Sequence, residues 1–216
     1  MIELRTYQQR AVEEIRTALN RYRRVLFCAP CGMGKTICFS YIASKQDALE
    51  RKVLIISNRC EILEQNGGAM QSFGIDLEYV NPKNRKIPTK RIVCAMAQTL
   101  RRRMQNPEWE EYVRGFDFFI IDECHSCDSD FIHPYIGRNA FLLGCSATPS
   151  RRSHQAQLGF FYKAMVVSVS VKELISLGYL SKSHHYSIIA PSLEGLNIDS
   201  GTGDYNRKQL AARYES

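Results

Sequence analysis

The chain has 216 residues, of which 44% are hydrophobic and 24% charged, a composition typical of a globular protein with a buried core. Its 29 basic residues outnumber its 22 acidic residues, and the resulting net charge of +7 is compatible with a polyanionic partner without demonstrating one. The sequence has no run of 18 apolar residues and no apolar signal core at its N-terminus. It therefore predicts neither a membrane span nor export, and we expect a cytoplasmic location.

An amphipathic helix is predicted near the N-terminus, following Leu4-Arg5-Thr6-Tyr7-Gln8. Apolar residues recur at helical spacing as far as residue 19, and Thr6 is suited to cap the helix. The Gln8 side chain offers both a hydrogen-bond donor and an acceptor, which suits an adenine edge. Taken alone, a helical glutamine is more often simply solvated.

A phosphate-binding loop is predicted at Ala29-Pro30-Cys31-Gly32-Met33-Gly34-Lys35-Thr36, between an apolar run at 25–28 and a helical pattern. Gly32 and Gly34 can adopt positive φ, which lets backbone N–H groups surround a phosphate at the positive end of the helix dipole. Lys35 adds positive charge at the outer phosphates, and Thr36 presents a hydroxyl to Mg²⁺. The residues expected to bind the nucleotide are Pro30, Cys31, Gly32, Met33, Gly34, Lys35 and Thr36. The motif begins with Ala29, where the usual phosphate-loop pattern has glycine. The alternative interpretation of this segment is a glycine-containing turn with a surface lysine.

Continuous apolar runs predict buried parallel strands at 53–57, 91–95, 118–121 and 141–145. A helix is expected from 58 to about 73, and another after residue 97 that carries Arg101, Arg102 and Arg103. This triplet is either a solvated face or a contact to phosphate backbone.

Further strands are predicted at 77–80, 166–171 and 187–190, and a helix at 172–177. The alternation of apolar residues with serine at 166–171 is typical of an edge strand. Residues 191–203 have the composition of a connector, and Asp204 is expected to cap a basic helix.

Two adjacent carboxylates, Asp122 and Glu123, follow the strand predicted at 118–121. Open α/β sheets place their chemistry at this end of their strands. Asp122 is expected to hold Mg²⁺ opposite Thr36, and Glu123 to orient and deprotonate an attacking water molecule. In isolation the pair would simply cap a turn, but the phosphate-binding loop favours the catalytic interpretation.

Eight cysteines include two pairs with C-x-x-C spacing, Cys28 with Cys31 and Cys124 with Cys127. This spacing is compatible with a four-thiolate metal site. Each pair, however, lies inside another motif, and several other cysteines fall in apolar strand patterns. We therefore favour free thiols that pack as small hydrophobic groups.

Taken in order, six motifs resemble the first RecA-like lobe of superfamily-two helicases, over residues 1 to about 190. The motifs are Leu4-Arg5-x-Tyr7-Gln8, 32–36, 59–65, 97–100, Asp122-Glu123-Cys124-His125 and Ser146-Ala147-Thr148-Pro149. The N-terminal motif, Arg151 and Leu177-Gly178-Tyr179-Leu180 look most like the Rad25-type and type III restriction group, which includes phage DNA helicases.

This resemblance implies a three-layer α/β sandwich with a mainly parallel central sheet and a ligand crevice at the strand C-termini. It also implies ATP hydrolysis with Mg²⁺, coupled to movement on nucleic acid, DNA more than RNA. Gln8, helped by Arg5, would read adenine. The residues implied to couple the nucleotide site to the nucleic-acid groove are His125, Ser146 and Thr148. Those implied to contact the sugar–phosphate backbone are Arg59, Gln98 and Thr99.

The resemblance further implies a second RecA-like lobe, which the 26 residues after Ala190 are too few to build. We expect residues 1–190 to form the ATP-binding lobe and 191–216 a linker and the start of a bridge. The chain would then be a fragment or the product of a truncated reading frame, with slow turnover on its own. Two alternatives are a basic module that binds nucleic acid or a partner without catalysis, and a small-molecule phosphotransferase. Lys35, Asp122 and Glu123 together favour an ATP-driven motor over the binding module. The motif Asp122-Glu123-Cys124-His125, which we call the acidic box, and the 146–149 loop argue against the phosphotransferase.

Overall fold

A seven-stranded, all-parallel sheet forms the centre of the protein. The computed structural model describes residues 3–151, 156–182, 195–197, 205–206 and 209–211. The chain divides into two units, Met1–Leu180 and Ser181–Ser216, and the sheet lies in the first. In the second, residues 209–211 are helical. The strand expected at 187–190, the Asp204 cap and most of the expected linker lie outside the described residues.

The strand order across the sheet is β3-β4-β2-β5-β6-β1-β7. The strands are β1 (Arg24–Cys28), β2 (Val53–Ser57), β3 (Leu77–Val80), β4 (Ile92–Met96), β5 (Phe118–Ile121), β6 (Phe141–Ser146) and β7 (Ala164–Val167). Apolar residues dominate these strands because most of them are buried on both faces, as parallel strands require. The predicted α/β class with a mainly parallel sheet is confirmed.

Helices cover both faces of the sheet and make a three-layer sandwich. They are α1 (Thr6–Tyr22), α2 (Lys35–Asp47), α3 (Cys60–Gln71), α4 (Ala97–Arg103), α5 (Pro107–Arg114) and α6 (Val171–Ser176), with short 3-10 helices at Cys127–Tyr135 and Leu158–Phe160. The sequence did not predict α5 as a separate helix. The strand predicted at 166–171 is wrong in its bounds, because Ser170 already caps α6 by accepting a hydrogen bond from the Glu173 N–H at 3.1 Å.

The hydrophobic core is split into two halves by the sheet, since side chains of a strand alternate between its faces. Ile15 of α1 and Phe39 of α2 pack with Phe27 on one face. Leu100 of α4 and Trp109 of α5 pack on the other. None of the helices in the described part of the chain is both long and apolar enough to cross a membrane.

The parallel topology brings distant segments of the chain to one edge of the sheet. The carboxyl ends of β1, β5 and β6 all point to this edge, and β6 lies between the other two. Neighbouring strands are about 4.8 Å apart, so the segments that follow β1 and β5 emerge about 10 Å from each other. The predicted phosphate loop and the predicted acidic pair are these two segments.

Two adjacent glycines in α3 give a matched test of packing between this helix and β3. A Cβ atom added at Gly67 would lie 1.9 Å from the Tyr79 hydroxyl oxygen and 2.7 Å from its ring carbon Cζ, whereas one added at Gly68 meets nothing within 4 Å. We expect Gly67→Ala to lower the free energy of unfolding by about 1–3 kcal/mol through overpacking. Gly68→Ala should raise it by about 0.5–1 kcal/mol, because alanine favours the helix. Chemical denaturation of both variants checks this, and equal effects would contradict the packing described.

Candidate active site

The phosphate-binding loop connects β1 to α2, and its two glycines adopt the positive φ angles that the sequence allowed for. Gly32 and Gly34 have φ angles of 80° and 90°, and Gly34 is the residue that precedes the first turn of α2. The loop is fixed at its start, where the Ala29 N–H donates to the Ser146 carbonyl oxygen at 3.0 Å. The Lys35 ammonium donates to the Ala29 carbonyl oxygen at 3.3 Å, so the lysine side chain folds back across the loop.

A buried asparagine joins the phosphate loop to the acidic pair. The amide nitrogen of Asn66, on α3, donates to Asp122 Oδ2 and to Ser57 Oγ, both at 3.0 Å. The amide oxygen of Asn66 accepts from the Thr36 hydroxyl at 3.4 Å. Asn66 is 1% exposed and Asp122 6%. Thr36 and Asp122 therefore both bind the amide group of one side chain, although 86 positions of sequence separate them.

The backbone turns sharply at Glu123. Its φ angle is 50°, in the left-handed region that residues with a side chain seldom adopt. The Glu123 N–H donates to Asp122 Oδ1 at 3.1 Å, and the Cys124 N–H donates to the Cys145 carbonyl oxygen at 3.0 Å. Strained backbone of this kind persists only where the surroundings hold it, and it is concentrated at functional sites.

The three predicted coupling residues meet at one point. His125 Nδ1 lies 2.9 Å from Ser146 Oγ and 3.3 Å from Glu123 Oε2. Ser146 Oγ also accepts from the Thr148 N–H at 3.0 Å. A chain of contacts thus runs from Glu123 through His125 to the loop after β6, while the Thr148 side chain is exposed.

Gln8 touches the phosphate loop directly. Its Nε2 atom donates to the Met33 carbonyl oxygen at 3.1 Å, and its Oε1 atom accepts from the Arg5 N–H at 3.0 Å. Gln8 is therefore buried and holds the start of α1 against the loop. The Arg5 guanidinium lies over the Tyr179 ring, 4.2 Å from its centroid. Adenine reading by Gln8 and Arg5 stays a prediction.

The residues predicted to bind nucleic acid lie apart from the hydrogen bonds described above, but at the same edge of the sheet. Arg59 follows β2 and is exposed, and Gln98 and Thr99 open α4 directly after β4. Because β2 and β4 are neighbours, the two segments emerge side by side. Their role in binding stays a prediction.

Sequence reasoning missed two residues that organise the site. One is Asn66. The sequence feature that could have revealed it is the position of a polar residue between Leu63 and Met70, on the buried face of α3. The other is Arg151, which served only as a mark of resemblance. Its side chain, 1% exposed, makes a two-pronged ion pair with Asp130 at 2.8 and 2.9 Å.

Arg151 also binds the backbone of the acidic box. Its guanidinium donates to the carbonyl oxygens of Cys124 at 2.6 Å, His125 at 3.0 Å and Ser126 at 3.2 Å. These are the residues that follow Glu123. The guanidinium therefore holds the turn in which Glu123 and His125 face each other.

Several cysteine thiols are buried and stay protonated. Burial raises the pKa of Cys38, Cys94 and Cys124 to about 12, since a thiolate would lose its solvation there. Such thiols pack as small hydrophobic groups. Within the described residues, no group of three or more His, Cys, Asp or Glu side chains is placed to hold a metal ion. The side chain of Cys127 lies outside the described part.

Comparison with known proteins gave one family and a set of similar folds. The sequence model of the family described as type III restriction enzyme, res subunit, matches residues 1–151. The comparison with curated proteins gave no match.

Three solved structures illustrate the similarity of fold. A nuclease-deletion mutant of the type ISP restriction-modification enzyme LlaGI, in complex with a DNA substrate mimic, has a TM-score of 0.62 and 17% identity over 82% of this chain and 21% of that chain. The UvsW helicase from bacteriophage T4 has a TM-score of 0.61 and 21% identity over 77% and 60%. The Hef helicase domain from Pyrococcus furiosus has a TM-score of 0.59 and 17% identity over 76% and 37%. The matched part is less than two thirds of each of these proteins.

Replacing Arg151 tests how the acidic box is held. Arg151→Ala would leave the Asp130 carboxylate and the backbone carbonyls of the box without their buried partner, and we expect a loss of about 3–5 kcal/mol in the free energy of unfolding. Arg151→Lys should recover only part, because an ammonium cannot form the two-pronged pair. Arg138→Ala, at an exposed arginine, is the control. Denaturation curves that coincide for Arg151→Ala and Arg138→Ala would contradict this role.

Proposed function

The chain belongs to the type III restriction enzyme, res subunit, family and has the RecA-like fold of a helicase lobe, and we propose that it is the ATP-binding motor lobe of a helicase or translocase that acts on DNA. The observation that carries the proposal is the hydrogen-bonded path from Thr36 through Asn66 to Asp122. It joins a phosphate-binding loop to an acidic pair, the two parts that ATP hydrolysis needs in one place.

The donor set at this place fits Mg²⁺. A threonine hydroxyl and an aspartate carboxylate are the oxygen ligands that motors with a phosphate loop supply. Thr36 and Asp122 contact the same Asn66 side chain, so both would hold the ion. When bound, Mg²⁺ neutralises negative charge on the phosphate oxygens of ATP.

The other residues of the site would each have a separate role in ATP hydrolysis. Backbone N–H groups of the loop would cradle the phosphates, and the Lys35 ammonium would exchange its bond to Ala29 for the outer phosphates. Glu123 would act as general base and take a proton from the attacking water. Its contact with His125 supports a role for His125 and Ser146 in relaying the state of this site to the DNA groove.

The DNA groove is proposed at the edge of the sheet that carries Arg59, Gln98 and Thr99. Two type ISP restriction-modification enzymes of similar fold, LlaGI and LlaBIII, were solved with a DNA substrate mimic and with DNA. We further propose a second RecA-like lobe as the partner that completes the ATP site. In related phosphoryl transfers an arginine finger from such a partner changes the rate by about 10³–10⁵. Turnover by this chain alone would then be slow.

Two substitutions separate ATP binding from hydrolysis. We expect Lys35→Ala to weaken binding of a fluorescent ATP analogue, because the charge at the outer phosphates is lost. Glu123→Gln should keep binding but lower the single-turnover hydrolysis rate by about 10²–10⁴, the usual contribution of a general base. Lys45→Ala, at an exposed lysine further along α2, is the control.

Two outcomes would contradict the proposal that this chain is a motor lobe. One is hydrolysis by Glu123→Gln at the wild-type rate. The other is DNA binding with full biological effect in a Lys35→Ala protein that no longer binds ATP, a result that would favour the non-catalytic binding module.

We expect Asn66 to affect the affinity for the ATP analogue only when Mg²⁺ is present. Asn66→Ala removes the amide that orients Asp122, and partners of metal ligands typically contribute 10–100-fold to metal affinity. We expect the gain in ATP-analogue affinity from added Mg²⁺, relative to EDTA, to fall by about tenfold or more. Gln71→Ala, an exposed amide on the same helix, should leave this gain unchanged. An equal loss of affinity with Mg²⁺ and with EDTA would show that Asn66 is merely structural.

A further inference from the structure

The positive charge of the protein is concentrated in one stretch, residues 81–106. It contains eight lysines and arginines and no aspartate or glutamate. Since the net charge of the whole chain is +7, the rest of the chain is close to neutral. The basic character of the sequence is therefore a local feature and not a general property of the surface.

Six of these cations, Arg91 among them, are exposed, and we call the other five the basic ridge. They are Lys83, Arg85 and Lys86 in the loop after β3, and Arg101 and Arg102 at the end of α4. Lys90 and Arg91, by contrast, pair with Asp76 and Asp47. Among the described residues, no ion pair involves a member of the ridge.

The two parts of the ridge are held together by Arg103. Its guanidinium donates to the carbonyl oxygens of Asn81, at 2.6 Å, and Asn84. Asn81 Oδ1 in turn accepts from the N–H groups of Lys83 and Asn84, each at 3.0 Å. Burial and the nearby charge of Arg85 lower the pKa of Arg103. The loop is thus fastened to α4, and its cations are presented from an ordered backbone.

The ridge continues the edge of the sheet on which the DNA groove is proposed. Its loop leaves the carboxyl end of β3, and α4 leaves that of β4. The strands β3, β4 and β2 are consecutive in the sheet, and Arg59 follows β2. From Arg59 toward β3 along this edge of the sheet, Gln98 and Thr99 come first and the ridge follows.

We propose that the basic ridge binds the phosphate backbone of DNA and extends the contact surface beyond Arg59, Gln98 and Thr99. This inference rests on the proposed function. Cations that form no ion pair within the described residues, in a stretch of sequence without aspartate or glutamate, complement a polyanion, and contacts to phosphates give affinity without reading sequence. The ridge therefore serves a protein that moves along DNA irrespective of base sequence.

The test compares cations at opposite edges of the sheet. The ridge variants are Lys83→Ala/Arg85→Ala/Lys86→Ala and Arg101→Ala/Arg102→Ala. The control is Lys52→Ala/Arg138→Ala/Lys163→Ala, which removes three exposed cations that precede β2, β6 and β7. Binding of a labelled DNA duplex and of its single strand is measured between about 50 and 200 mM salt. Each lost phosphate contact lowers the slope of log affinity against log salt by about 0.7–0.9.

For the triple ridge variant we expect a slope reduced by about two on at least one form of DNA, with weaker binding at every salt concentration. The control should match the wild type in slope, and binding of the ATP analogue should be the same in all variants. Ridge variants that bind both forms of DNA with the wild-type slope would overturn the ridge and leave the motor proposal intact. A wild-type chain that does not bind DNA at all would overturn the proposed DNA groove and the ridge with it.

Discussion

The buried carboxylate of Asp122 is the constraint around which the site is built. A carboxylate removed from water needs hydrogen-bonding partners, and beside the backbone N–H of Glu123 its side-chain partner is the Asn66 amide. Because this amide also binds Ser57 and Thr36, the ends of β2 and β5 and the start of α2 are fixed relative to one another. One side chain thus gives three segments, distant in sequence, a common geometry. Removing it would leave Asp122 Oδ2 without the side-chain donor that binds it.

The acidic box shows how a strained backbone is retained. Glu123 sits at positive φ, which costs on the order of 1–3 kcal/mol, and the chain on either side of it is bound from several directions. Arg151 holds the carbonyl groups after it, and the end of β6 holds the N–H of Cys124. These contacts make the turn rigid, so the Glu123 carboxylate stays beside His125. This preorganisation supports the proposed role of Glu123 as a general base, which would have to meet one water molecule.

Much of the architecture could be predicted because it depends on local patterns. Continuous apolar runs predicted the parallel strands, and the glycines with Lys35 and Thr36 predicted the loop and the helix after it. Asn66 and Arg151 were missed because their roles arise only when segments far apart in sequence meet. The bounds near β7 were wrong for a different reason. Ser170 and Glu173 formed a recognisable helix start that the alternation of apolar and serine residues concealed.

The attachment of Gln8 bears on its proposed role as a reader of adenine. A glutamine amide has two hydrogens and, on its oxygen, two lone pairs. In this protein one hydrogen is given to Met33 and one lone pair to Arg5, so the group cannot rotate end for end without losing both bonds. It keeps a single donor beside a single acceptor, which matches the amino group and ring nitrogen of adenine. Guanine offers two acceptors at that edge, and its oxygen would face the amide oxygen.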